Sequence, residues 1–193
     1  MDIILASTSP HRRRLLERLQ LPFRCVPPQT DETPLPDEAP AALAVRLARA
    51  KAASIAKLHP GALIIGSDQV ASIEGSIMGK PGNFNSASAQ LRSSSGREVV
   101  FYTAIALIAP NRDQERFHVE RFCVRFRALS DGQIANYLHR EQPYDCAGSF
   151  KVEGLGIALF ERLIGDDPTS LEGLPLIKLT ALLGELGVDV LHT

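Results

Sequence analysis

The residues best suited to chemistry sit in four short stretches. Near the start, "LASTSPHRRR" sets Ser7, Thr8 and Ser9 just before His11, Arg12, Arg13 and Arg14. Helix amides, the hydroxyls of Ser7 and Ser9 and the guanidinium groups of Arg12 and Arg13 make an anion site, and phosphate is its commonest tenant. Arginines at a helix start oppose the helix dipole, which prefers acids there, and a bound anion would relieve the conflict. The plainer alternative is a capped helix with solvated arginines on its outer face. In "QTDETPLPDEAP", Asp31 and Glu32 are adjacent acids on a proline-punctuated loop. Such a pair can reach a hard cation or simply stay solvated. In "IIGSDQ" a buried apolar run breaks at Gly66-Ser67-Asp68. That break predicts Asp68 at the sheet's edge, as a turn cap, a metal ligand or a base. Lys80 lies in "GSIMGKPG". This is no Walker loop, because the Gly75–Gly79 spacing is one residue short and Pro81 replaces the magnesium-binding hydroxyl. Lys80 can still meet a phosphate as a point charge.

Other chemistries fit less well. The chain has no G-x-S-x-G elbow and no H-E-x-x-H, and His11, His59, His118, His139 and His192 show no metal spacing. Cys25, Cys123 and Cys146 form no C-x-x-C pair, which points away from a zinc site or disulfide framework and towards a reducing cytoplasm. Lys plus Arg (21) nearly equals Asp plus Glu (22), so no global basic field favours stable nucleic-acid binding. No apolar run has the length of a membrane span, and "IILA" lacks the flanks of a signal peptide. Lys51, in "ARAKAAS", reads as a helix-surface lysine unless the fold turns it inward.

These residues need elements to hold them. A chain of 193 residues allows one sizeable core or two small lobes around a cleft. Residues 2–6 read as a buried strand, followed by a helix with Ser9 as N-cap, Pro10 as first residue and Leu15, Leu16 and Leu19 as its apolar face. A second strand is expected over 23–26 and a long alanine-rich helix from Pro40 to Leu58. Residues 62–73 read as a strand interrupted at Gly66-Ser67-Asp68, and 86–94 as a helix ended by Gly96. Residues 98–109 and 115–127 predict a long antiparallel pair around "PNRDQE". A change of apolar face between Val119 and Phe122 predicts a bulge there. A helix over Asp131–Arg140, a strand near Gly156–Phe160 and a helix over Leu176–Leu186 complete a mixed α/β chain without an obvious linker.

Taken in order, "LASTSPHRR", "DET", "LAxxKA" (Leu47 to Ala52), "GSDQ", "GKP", "SGREVVFYT", "DCAGSFKVEGLG" and "GLPL" resemble the Maf family of nucleoside triphosphate pyrophosphatases. The resemblance implies one α/β domain over residues 1–193. It would be two-lobed, with an elongated mixed sheet and flanking helices like the inosine triphosphate pyrophosphatases, and nucleotide would lie in the cleft between the lobes. It further implies cleavage of a nucleoside triphosphate between its α and β phosphates with a divalent metal, Mg2+ or Mn2+. By the same resemblance Asp68 is the proton acceptor, Arg12, Arg13, Lys51 and Lys80 hold the triphosphate, and Glu32 with Asp68 hold the metal.

Departures from the family's pyrimidine-directed members sharpen the expectation. Gln69 stands where they have threonine, Cys146 where they have lysine and Glu153 where they have glutamine. This combination resembles the subgroup acting on 7-methyl-GTP, in which the residues matching His11, Gln69 and Glu153 set base preference. Lys151, beside that segment, is a further candidate for phosphate or base contact. The rival readings are a dTTP or UTP pyrophosphatase and a non-catalytic nucleotide-binding regulator of cell division. A homodimer is a candidate assembly on which the residues are silent.

Overall fold

The computed structural model describes residues 2–109 and 113–192. Its strands are β1 (Ile3–Ala6), β2 (Arg24–Cys25), β3 (Leu63–Ile73), β4 (Ser76–Met78), β5 (Glu98–Ala109), β6 (Gln114–Phe126) and β7 (Phe160–Ile164). They form one seven-stranded mixed sheet in the order β2-β1-β3-β5-β6-β7, with β4 paired to β3 off this path. The helices are α1 (Pro10–Glu17), α2 (Pro40–Ala56), α3 (Phe84–Ser94), α4 (Asp131–Glu141) and α5 (Leu176–Glu185). The chain divides into two compact units. The first comprises Met1–Gln69, Thr103–Glu120 and Asp167–Thr193, the second Val70–Tyr102 and Arg121–Asp166, and β3, β5 and β6 contribute residues to both. Among the described residues no helix is long and apolar enough to cross a membrane.

In the first unit β1 pairs in parallel with both β2 and β3. Strand alternation sends Ile3, Leu5, Leu63 and Ile65 into a core shared with Leu15 and Leu16 of α1 and Leu179, Leu182 and Leu183 of α5. Ser9 caps α1 as expected, its hydroxyl accepting from the Arg12 amide at 3.4 Å, with Pro10 in the first turn. α2 buries Leu43, Ala44, Leu47, Ala48, Lys51, Ala52 and Ile55 along one face.

One expectation is corrected here. β3 is continuous through Gly66-Ser67-Asp68, and Asp68 lies two residues beyond Gly66, where its pairing with β1 ends. Gly66 is no interruption but the point where α2 comes closest: a Cβ there would collide with the Ala48 carbonyl oxygen and lie 2.7 Å from the Ala52 nitrogen. Gly66→Ala is therefore expected to cost about 2 kcal/mol through overpacking, read as a lower urea midpoint. An unchanged midpoint would contradict this packing.

The second unit is centred on aromatic rings. Phe150 packs edge-on against Phe101, Phe126 and Phe160, with centroids 4.7–5.8 Å apart. In the same unit α3 buries Ala87 and Leu91, and α4 buries Ile134 and Leu138. Gly96 N–H donates to Arg127 O and Phe126 N–H to Arg97 O, setting the start of β5 opposite the end of β6 in the expected antiparallel sense. Residues 110–112 of the connecting turn lie outside the described residues. β6 turns from exposed and half-buried residues to the buried run Phe122, Cys123 and Val124 just after it passes from one unit to the other. Its irregularity in pairing with β7 falls later, at Arg125/Phe126. The strand expected near 156–160 is instead a 3-10 turn, Leu155–Leu159, leading into β7. Gly154 and Gly156 both donate to Lys151 O, and that curled backbone leaves nothing extended to pair.

Candidate active site

The period of two along β3 sorts its polar end between two neighbours. Ile64, Gly66 and Asp68 share the face that meets α2, while Ser67 and Gln69 point the other way. Lys51 lies one helical step from Ala48 on the buried face of α2, so the close approach at Gly66 delivers its ammonium to Asp68. Lys51 Nζ is 2.6 Å from Asp68 Oδ1 and 2.6 Å from Glu32 Oε1. Lys51 is only 6% exposed, which corrects the reading of it as a surface lysine. Among the described residues Asp68 Oδ2 has no hydrogen-bond partner. Two carboxylate oxygens thus converge on one positive centre. An all-oxygen pair of this kind is a donor set that can hold a hard divalent cation.

The loop bearing Glu32 is tied down by Arg46 of α2. Arg46 grips Glu38 through Nε at 2.7 Å and Nη2 at 2.8 Å, and donates from Nη2 to Thr33 O at 3.0 Å. Those bonds hold the Glu38 carboxyl down to about 2, from an ordinary 4.5. Asp31 turns back on the loop, and hydrogen bonds from the Thr33 side chain first, then from the Thr33 amide at 2.9 Å, lower its pKa too. A depressed carboxyl adds stability above its unfolded value and loses it as pH falls towards the folded one. Glu38→Gln should therefore be less stable than wild type at pH 7 and lose less stability between pH 5 and pH 3, as urea titrations at each pH would read. Parallel losses in the two chains would contradict the assignment.

The opening arginines separate. Arg12 donates from Nε to Gly173 O at 2.9 Å, and among the described residues its terminal amino groups have no hydrogen-bond partner. Burial lowers its pKa, while the charges of Asp68 and Glu32 work in the opposite direction. Arg13 is exposed and pairs with Glu17 at 3.0 Å. Arg14 donates to His11 Nδ1 at 3.0 Å, a bond that requires the neutral ring with its proton on Nε2. Ser7 Oγ accepts from the Ser9 amide at 3.1 Å, and both hydroxyls keep their O–H groups to donate.

Gly173, the first residue of "GLPL", joins the site through its backbone, which no local pattern signals. Its carbonyl accepts from both Arg12 and Ser67, and its φ of +116° is one that a side chain would strain. Gln69 Nε2 donates to Thr103 Oγ1 at 3.0 Å, Ser170 O at 2.8 Å and Leu171 O at 3.2 Å. Thr103 in turn donates to Ser170 O at 2.9 Å, which fixes the sense of the network. The Gln69 amide nitrogen is thus spent, and its Oε1 has no partner among the described residues.

The second unit carries Lys80, Lys151 and Glu153. Lys80 is exposed and unpaired among the described residues. Lys151 donates from Nζ to Glu141 O at 3.2 Å, and its amide donates to Tyr137 Oη at 3.2 Å, so it anchors its own loop. Glu153 is exposed. Burial first, then Asp145, pushes the Cys146 thiol up to about 12. A cavity of about 680 Å³ lined by Ala42, Val45, Arg46, Arg49, Ile108 and Val119 holds none of the candidate residues.

Comparison with known proteins bears on this arrangement. The sequence pattern of the Maf-like protein family matches residues 2–186. A 7-methyl-GTP pyrophosphatase from Colwellia psychrerythraea is 54% identical over 189 residues, covering 98% of this chain and 94% of its own. A 7-methyl-GTP pyrophosphatase from Bordetella avium is 53% identical over 191 residues, covering 99% and 96%. Among solved structures, the Staphylococcus aureus Ham1 protein aligns over 65% of this chain and 72% of its own, at 14% identity and a TM-score of 0.48. The family match takes in every strand and helix from β1 to α5, and with them all the candidate residues, so this chain belongs to the Maf-like protein family.

Proposed function

We propose that the chain is a nucleoside triphosphate pyrophosphatase that hydrolyses 7-methyl-GTP to 7-methyl-GMP and pyrophosphate. The observation that carries this reading is the pair of carboxylates, Asp68 and Glu32, gathered on the buried Lys51 with the charge of Arg12 close enough to feel both. Its names come from relatives more than half identical along almost the whole chain. Asp68 accepts the proton of the attacking water through its open oxygen. Arg12 and Lys80 supply unspent positive charge for the triphosphate, joined by Lys51 and Arg13 once their present partners yield. A magnesium or manganese ion held by Glu32 and Asp68 would neutralise charge on the pyrophosphate leaving group. The setting we infer is the cytoplasm.

Base choice follows from charge and hydrogen-bond pattern. The Glu153 carboxylate can accept from both N1–H and N2–H of guanine, an arrangement uracil and thymine do not offer. N7-methylation makes the base cationic, so the same carboxylate gains Coulomb attraction. A neutral His11 stacks on a cationic ring without repelling it, and its bond from Arg14 is that of a neutral imidazole.

The test is pyrophosphate release from 7-methyl-GTP, GTP, dTTP and UTP with Mg2+ or Mn2+. The expected order places 7-methyl-GTP first, and turnover confined to dTTP and UTP would overturn the reading. His11→Ala should raise KM for 7-methyl-GTP about fivefold, the worth of a partly desolvated cation–π contact. An unchanged KM would remove His11 from the base site.

A further inference from the structure

We propose that Gln90 is a positioning residue that couples the loop carrying Lys80 to the segment carrying Lys151 and Glu153. The proposal rests on the reading given above, in which Lys80 meets phosphate and Glu153 meets the base. Gln90 projects from α3 with both ends of its amide engaged. Nε2 donates to Gly79 O at 2.9 Å, and Oε1 accepts from Ser149 Oγ at 2.5 Å. The Gly79 carbonyl can only accept, so it fixes the sense of the amide, and a flip would set Oε1 against it. Gly79 is the residue before Lys80, and Ser149 stands two before Lys151 and four before Glu153.

Each segment has a reason to need such a tie. Lys80 is exposed and unpaired among the described residues, so only its backbone locates it. Ser149 is fully buried with φ +62°, a left-handed conformation that costs a non-glycine residue energy and persists only where its surroundings hold it. Its hydroxyl bond to Gln90 is part of that hold. The same two segments meet once more through the backbone, where Gly82 N–H donates to Tyr144 O at 2.9 Å. Further along, the 151–155 stretch is fastened to α4: Lys151 N–H donates to Tyr137 Oη, and Leu155 N–H to Glu141 Oε2 at 2.8 Å. Gln90 is thus the side chain that converts two separately curled segments into one frame. In that frame Lys80 and Glu153 keep a set spacing for the charge and the base of one nucleotide. Gln90 touches neither, and it acts through Gly79 and Ser149.

The test compares wild type with Gln90→Leu and Gln90→Glu in the full chain. Amide hydrogen exchange at Gly82, Ser149 and Lys151 reads the coupling, and steady-state kinetics on 7-methyl-GTP reads its consequence. Loss of two net hydrogen bonds in Gln90→Leu should speed exchange about tenfold in both segments and raise KM about tenfold, with kcat changed less than twofold. Gln90→Glu keeps an acceptor for Ser149 but sets a carboxylate against the Gly79 carbonyl, so it should loosen Gly82 alone and give an intermediate KM. It also decides the matter if Gln90→Leu does not fold. Exchange that rises in only one segment of Gln90→Leu, or a fall in kcat at constant KM, would overturn the proposal. A purely structural role would lower the melting temperature without this split. Absence of turnover in the wild-type chain would overturn the functional reading instead, and the exchange pattern would still decide the coupling.

Discussion

Asp68→Asn is expected to lower pyrophosphate release about 10³-fold while leaving a folded chain, which is the scale of losing a positioned proton acceptor. Asparagine has the shape of aspartate, so β3 keeps its pairing and α2 its seat against Gly66. What changes is charge. The amide cannot take a proton from water, and it is a poor ligand for a hard cation. Lys51 retains Glu32 at 2.6 Å, so its ammonium stays partnered and the fold tolerates the exchange. Circular dichroism and a melting curve alongside the assay separate the two effects. Turnover within tenfold of wild type in a folded Asp68→Asn chain would take Asp68 out of the chemistry.

Lys51→Met should have the largest effect on stability. Asp68 is 7% exposed and Lys51 6%, so the substitution leaves a carboxylate buried beside Glu32 without its counter-charge. Removing one partner of a buried ion pair costs about 3–5 kcal/mol, most of it the stranded charge. Because the cost lies in that charge, adding Asp68→Asn to Lys51→Met should recover at least half of it, a coupling that a double-mutant cycle in urea measures. Mg2+ or Mn2+ should raise the melting temperature of Lys51→Met more than that of wild type. In wild type the ammonium competes for the same two oxygens, whereas in the variant the cation replaces it. A stability change below 1 kcal/mol in Lys51→Met, or no gain with either cation, would contradict this account of the cluster.

The parts of this site that the sequence made legible are those decided within a few residues. Ser9 and Pro10 announce the start of α1 because capping is local chemistry, and the apolar runs of β1, β3 and β5 mark the strands. The misreadings at the site share one cause, contacts between residues far apart in the chain. "GSD" looks like a break because glycine weakens strands on average. Here it is the residue that lets α2 approach, and the atoms it avoids belong to Ala48 and Ala52. Lys51 looks like a surface lysine because an alanine-rich helix shows no sharp polar face. Its two acids arrive from a loop and a strand, and Asp68 is 17 residues away. The Gln69 amide is spent on carbonyls more than 100 residues later, so its free acceptor end could not be read from "SDQ". Within three consecutive arginines, no pattern distinguishes Arg12, turned to Gly173, from Arg13, paired outside with Glu17.

Hydrolysis of 7-methyl-GTP in ¹⁸O-labelled water tests the central claim most directly. In the proposed mechanism water deprotonated by Asp68 attacks the α-phosphorus and pyrophosphate leaves, which predicts one ¹⁸O in each 7-methyl-GMP, unlabelled pyrophosphate and no orthophosphate. Label in the pyrophosphate, or release of orthophosphate in its place, would contradict it.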